Sequence, residues 1–132
     1  MADKIHFDLV SPERMLLSDD VDMVTVPGTE GYFGVLAGHA PVISTLRPGV
    51  IDVKGGKQDG LRLFVRGGFA EVTPEKIIVL AEEAMPLSEF SLEALDQRIR
   101  DAEEDLVAAQ TDAERDRAGE VLDHLRQLRS VF

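Results

Sequence analysis

TPEKIIVLAEEAMPLSEFSLEALDQRIRDAEEDLVAA, residues 73–109, carries the reading that decides the fold. Its first part, Ile77 to Leu80, is a short apolar run with β-branched content, the grammar of a strand. After Pro86 the period changes. Leu92, Leu95, Ile99, Ala102, Leu106 and Ala109 follow a 3-4-3-4-3 spacing, one stripe of an amphipathic helix. Ser91 stands where an N-cap belongs. The chain therefore changes from strand to helix between about residues 86 and 90.

Working outward, the punctuation residues agree with that boundary. All six Pro and ten of the eleven Gly lie at or before Pro86, so the N-terminal part reads as strands and turns. Ile5, Phe7 and Leu9 alternate with His6 and Asp8. Val24 and Val26 flank Thr25, and Leu61, Leu63 and Val65 alternate with Arg62 and Phe64. Pro27-Gly28, Pro48-Gly49, Gly55-Gly56, Gly67-Gly68 and Thr73-Pro74 read as the turns between runs. Phe69, Val72 and the Phe33–Leu36 segment are expected to feed the core. On the C-terminal side, Thr111-Asp112-Ala113-Glu114 reads as a capping box that opens a second helix. Ala118, Val121, Leu125, Leu128 and Phe132 form its stripe. One or two residues between the stripes make the helices antiparallel neighbours. The expected architecture is an N-terminal all-β sandwich of eight to ten strands over residues 1–87. An antiparallel two-helix hairpin over 88–132 follows it.

Composition narrows the chemistry. Of 132 residues 25 are acidic and 14 basic, a formal charge of −11 that would repel a nucleic-acid backbone. The acid is spread over both parts: residues 1–87 hold 13 acids and 8 bases, and residues 88–132 hold 12 and 6. The absence of Cys removes disulfides and thiolate chemistry. No apolar run approaches the roughly 20 residues that span a bilayer. Met1-Ala2-Asp3-Lys4 lacks the basic start and apolar stretch of a leader, so no signal peptide and no direct membrane insertion are expected.

Catalytic constellations are not readable. Gly28, Gly31 and Gly34 give G-x-x-G-x-x-G, but Gly38 and Pro41 follow too soon for the helix that phosphate binding needs. His6, His39 and His124 have no metal-ligand spacing. No serine sits in a G-x-S-x-G setting. The chemistry is that of a non-catalytic interaction protein with no required cofactor.

The stretch VPGTEGYFGVLAGHAPVISTLRPG, residues 26–49, resembles the signature of the epsilon subunit of bacterial F-type ATP synthases, the counterpart of the mitochondrial delta subunit. VRGGFAEVTPEKIIVLA, residues 65–81, and FDLVSPE, residues 7–13, resemble further blocks of the same family. The resemblance implies a rotor part on the cytoplasmic face of the bacterial inner membrane, peripheral to it. Such a part binds the gamma shaft and the ring of c subunits and couples proton-driven rotation to ATP synthesis. It assigns Ser11, Thr29, Glu30 and Tyr32 to the c-ring end and His39 to the gamma-facing side. Several relatives carry an acid where this chain has Tyr32. In some relatives the hairpin regulates hydrolysis at the catalytic alpha and beta subunits, or binds ATP through [IL]-D-x-x-R-A. Here that stretch is Leu95-Asp96-Gln97-Arg98-Ile99-Arg100, with Ile99 in the arginine position. Asp96, Arg98 and Arg100 are the candidate ATP-binding residues, the two arginines each turned about 100° around the helix from the motif position. The alternatives are a nucleotide-sensing regulatory domain and a stand-alone ligand-binding β-sandwich.

Overall fold

A computed structural model describes residues 3–58 and 60–130. Met1 and Ala2 of the leader reading and Phe132 of the second stripe lie outside the described residues. Two compact units divide the chain, Met1–Ser88 and Glu89–Phe132.

The first unit is a sandwich of eight strands: β1 (Ile5–Val10), β2 (Met15–Val21), β3 (Met23–Gly28), β4 (Gly31–Val35), β5 (Val42–Thr45), β6 (Gly49–Lys54), β7 (Leu61–Val72) and β8 (Lys76–Pro86). Hydrogen bonding follows the order β2-β1-β8-β7-β6-β3-β4, and β5 pairs the far half of β7. The long β7–β8 hairpin belongs to both layers. Leu61–Val65 of β7 pairs β6, whereas Phe69–Val72 pairs β5. Neighbouring β1 and β8 are parallel, with Phe7 opposite Ile77.

The bend that carries β7 from one layer to the other lies at Gly67-Gly68. The pair is not the turn expected from the sequence but the middle of a twelve-residue strand. Both glycines have positive φ, +70° and +92°, which residues with a Cβ rarely adopt. The kink also switches which side chains face inward: Leu63 and Val65 before it, Ala70 and Val72 after it. Phe69, expected in the core, therefore faces outward and is partly exposed, as is Leu36. The alternation read in β1 holds, with Ile5, Phe7 and Leu9 fully buried. They pack with Val21, Val24, Val26, Val35, Ile51, Val53, Ile77 and Val79 in one core cluster.

The second unit contains α1 (Leu92–Ala108) and α2 (Asp112–Arg129). Both predicted caps are present. The Ser91 hydroxyl accepts from the Ala94 N–H at 3.3 Å and Thr111 from Glu114 at 3.1 Å. The Glu114 carboxylate reaches back to the Gln110 N–H at 2.9 Å, one residue beyond the usual box. Arg129 Nε donates to Asp96 Oδ1 at 3.0 Å, tying the end of α2 to the start of α1 in an antiparallel hairpin. The stripe on α2 runs through Leu122, Leu125 and Leu128; Val121, expected in it, is partly exposed.

Candidate functional site

Four of the five residues assigned to partner contacts surround one groove of about 760 Å³ in the sandwich. Its walls are the β3–β4 turn with Thr29 and Glu30, Tyr32 and Phe33 on β4, His39, and Val42 to Thr45 on β5. Thr29, Tyr32 and His39 are each fixed by a local bond. The Thr29 hydroxyl donates to the Thr45 carbonyl at 3.1 Å and contacts the Thr45 hydroxyl, tying the turn to β5. His39 Nδ1 lies 2.7 Å from the Ala40 carbonyl, so that nitrogen carries the proton and donates. Gly38, at φ +88°, gives its N–H to the Pro74 carbonyl at 2.7 Å and holds the loop against the β7–β8 turn. Ser11 is elsewhere. Its N–H and hydroxyl both donate to the Arg14 carbonyl, closing the β1–β2 turn beside Phe69 and Leu80.

Tyr32 is braced. Its hydroxyl accepts from the Val50 N–H at 3.1 Å, and the Arg47 guanidinium lies 5.4 Å from the ring centroid. A cation over a half-exposed ring contributes about 0.5–1 kcal/mol. The aromatic thus works as a rivet between β4 and β6. Tyr32→Phe leaves the Val50 amide without that acceptor and lowers stability by about 1 kcal/mol, measured by urea denaturation. Unchanged stability would mean that water replaces the hydroxyl at no cost.

Sequence reasoning missed the groove's apolar wall. Ile43 is 71% exposed and Tyr32 48%. Val42 is partly exposed beside them. Contiguous apolar surface rimmed by polar groups marks an interaction site more often than a reactive one. The signal was present in the apolar pair Val42-Ile43, but alternation alone does not say which face looks outward.

A second polar group also escaped the sequence. On the outer face of β1, His6 Nδ1 lies 2.8 Å from Asp20 Oδ1, and His6 Nε2 lies 2.9 Å from Asp8 Oδ1 and 3.3 Å from the Ser18 hydroxyl. Ser18, His6 and Asp20 have the connectivity of a nucleophilic triad. Asp8 cancels that chemistry. The Asp8 carboxylate lies closer to Nε2 than the Ser18 hydroxyl does and can only accept, so the proton at Nε2 goes to Asp8 and that nitrogen offers Ser18 no lone pair. The Asp20 hydrogen bond, with Asp8 adding to it against burial, raises the His6 pKa above its ordinary 6.5. The Ser18 hydroxyl, aided by His6 and Lys76 against burial, holds Asp8 below its ordinary 3.8. Among the described residues no group of three His, Cys, Asp or Glu side chains could hold a metal ion.

On the hairpin, the three nucleotide candidates each have a local partner. Asp96 pairs with Arg129. The Arg98 guanidinium lies 6.0 Å from the Phe90 ring centroid. Arg100 Nη2 donates to Gln97 Oε1 at 2.7 Å. Among the described residues no helix is long and apolar enough to cross a membrane.

Comparison with known proteins adds the family. Residues 4–87 match the model described as ATP synthase, Delta/Epsilon chain, beta-sandwich domain. The ATP synthase epsilon chain of Parvibaculum lavamentivorans is 55% identical over 129 residues, 98% of either chain. That of Maricaulis maris is 48% identical over 132 residues, 99% of this chain and 98% of the other. A chain in the Euglena gracilis mitochondrial ATP synthase structure, solved with OSCP, F1 and c-ring, superposes with a TM-score of 0.80 at 26% identity, covering 99% of this chain and 82% of that one. One in the Tetrahymena thermophila central stalk and c-ring structure shares the fold, with a TM-score of 0.71 at 15% identity over 98% of this chain and 96% of that one. The strand-built groove, the helical hairpin and the full-length similarity have one explanation: this chain belongs to the epsilon chain family of the ATP synthases, homologous to the mitochondrial delta subunit.

Proposed function

We propose that the sandwich groove is the docking surface by which this chain joins the rotor. The chain is a non-catalytic central-stalk subunit that couples rotation, an accessory to the catalytic complex. On our reading the Thr29–Tyr32 turn and the Ser11 turn meet the polar loops of the c ring, and the His39 side meets the gamma shaft. The chain then lies peripherally on the cytoplasmic face of the bacterial inner membrane. The observation that carries this reading is the groove itself: Thr29, Glu30, Tyr32 and His39 share one cleft with the exposed side chain of Ile43. Fixed polar groups around an apolar centre suit a protein partner.

The mechanism is mechanical. A sandwich whose two layers share the β7–β8 hairpin resists shear because its hydrogen bonds run continuously from one layer into the other. A body of that kind, held between shaft and ring, passes torque without chemistry of its own. For the hairpin we favour a regulatory role without a preformed nucleotide site. Asp96, Arg98 and Arg100 point to three separate neighbours, and ATP would have to break the Asp96–Arg129 pair to recruit them.

Co-expression with a gamma-type shaft subunit, affinity capture and gel filtration in moderate salt test the docking role. The expected result is a stoichiometric complex that survives dilution. Failure with a well-folded shaft would overturn the reading and turn attention to small ligands of the groove.

A further inference from the structure

Asp8 is the one charged residue buried among those described, and it belongs to a network that crosses three strands. His6 on β1 stands opposite Asp20 on β2 and Lys76 on β8, and Asp8 stands opposite Ser18. Lys76 Nζ lies 3.4 Å from Asp8 Oδ2. Two residues before His6, Lys4 pairs with Asp22 at 3.0 Å. Glu75 contributes its backbone carbonyl, which accepts from the His6 N–H at 3.1 Å. With the imidazole protonated, the charges of His6 and Lys76 balance those of Asp8 and Asp20.

The two carboxylates differ in what else holds them. The Asp8 side chain is 11% exposed and has Ser18 and Lys76 beside it; the Asp20 side chain is 69% exposed. A neutral imidazole carries one N–H. Asp8, with less access to water, keeps it at Nε2, and Asp20 then faces a lone pair at Nδ1 and turns to solvent. β2 is an edge strand whose ladder is with β1, so among the described residues no second strand holds it. Its far end also carries the β6–β7 turn, because Asp19 Oδ2 accepts from the Lys57 N–H at 2.7 Å.

We propose that Asp8, His6 and Asp20 form a proton-operated latch: the imidazolium ties β2 and the β6–β7 turn to the sandwich, and the neutral imidazole releases Asp20 and loosens both. The direction follows from linkage. A group whose pKa is raised on folding contributes its stabilisation fully below its unfolded value near 6.5 and loses it as pH rises through the folded value. Asp8, lowered below 3.8, stays ionised across that window. The latch is a property of this chain alone and stands apart from the docking role.

Native-state amide exchange on the full chain, followed by NMR, tests it. Protection of the Ser18–Val21 and Lys57 amides is measured against the β7–β8 ladder in the same sample and corrected for intrinsic exchange. From about pH 6 to about pH 9 that ratio falls about fivefold in the wild type and is flat in His6→Gln. In Asp20→Asn, a surface change, the imidazole titration moves to lower pH. A flat wild-type ratio, a fall retained in His6→Gln, or an unmoved titration in Asp20→Asn would each overturn the latch.

Discussion

Gly68→Ala is expected to destabilise the sandwich severely. A Cβ placed on Gly68 would lie 1.7 Å from the Leu80 carbonyl oxygen and 2.8 Å from the Leu80 carbonyl carbon. Both atoms are backbone of the paired strand β8, so neither can turn aside as a side-chain tip could. The φ of +92° adds strain of about 1–2 kcal/mol for any residue with a Cβ. Relief needs β7 and β8 to part at the bend, where both layers depend on their pairing. A cost of about 4 kcal/mol or more follows, a large share of the stability of a domain whose total is about 5–15 kcal/mol. Gly60→Ala is the matched control. Gly60 also has positive φ, +74°, but nothing lies within 4 Å of its added Cβ. It should cost about 1 kcal/mol, the conformational part alone. Urea denaturation followed by circular dichroism separates the two. Equal costs would mean that the steric collision at Leu80 is absorbed and that glycine is kept at 68 for its φ alone.

That pair of glycines also marks where the sequence was ambiguous. Glycine serves a turn and an in-strand kink for the same reason, its access to positive φ, so Gly67-Gly68 between two apolar runs reads equally as either. Taking it as a turn hid the single long strand and the inward switch after it, and so put Phe69 in the core. The other elements were legible because their signals are local. Ile5, Phe7 and Leu9 alternate within one strand, and Thr111 and Glu114 cap one helix from three residues apart. Val121 and Leu122 are adjacent, and spacing alone does not choose which faces the seam, since a 3-4 stripe drifts on a 3.6-residue helix. The groove lay between these cases. Thr29, Glu30, Tyr32 and His39 were assigned through family resemblance, and their gathering in one cleft depends on β5 closing beside the β3–β4 turn, a long-range pairing. The His6 network was invisible for the same reason. Asp8 lies two residues from His6, but Asp20 comes opposite it through the register of β1 on β2, which depends on the length and irregularity of the intervening turn.

Ile43→Lys is expected to separate docking from folding. Ile43 lies on the edge strand β5 with 71% of its surface exposed, so the fold gains little from it and loses little on its removal. In register it stands opposite Glu71, and a lysine there meets a carboxylate rather than a like charge. Stability should stay within about 0.5 kcal/mol of wild type. Docking responds differently. If the groove is covered by shaft or ring, the lysine must be buried without a partner or the interface must open. Losing a central apolar anchor costs about 2 kcal/mol, and burying a charge adds to it. Capture by the co-expressed shaft and ring should therefore weaken at least about thirtyfold. Val107→Lys supplies the comparison: Val107 on α1 is 87% exposed and lies outside the groove, so its replacement should leave capture unchanged. Equal capture by wild type and Ile43→Lys would remove the groove as the docking surface while leaving the family assignment intact. Equal loss in both variants would point to a general effect of added positive charge on a chain of net charge −11 rather than to the groove. The selective loss is the expected outcome, because Ile43 shares its cleft with Tyr32, His39 and the β3–β4 turn.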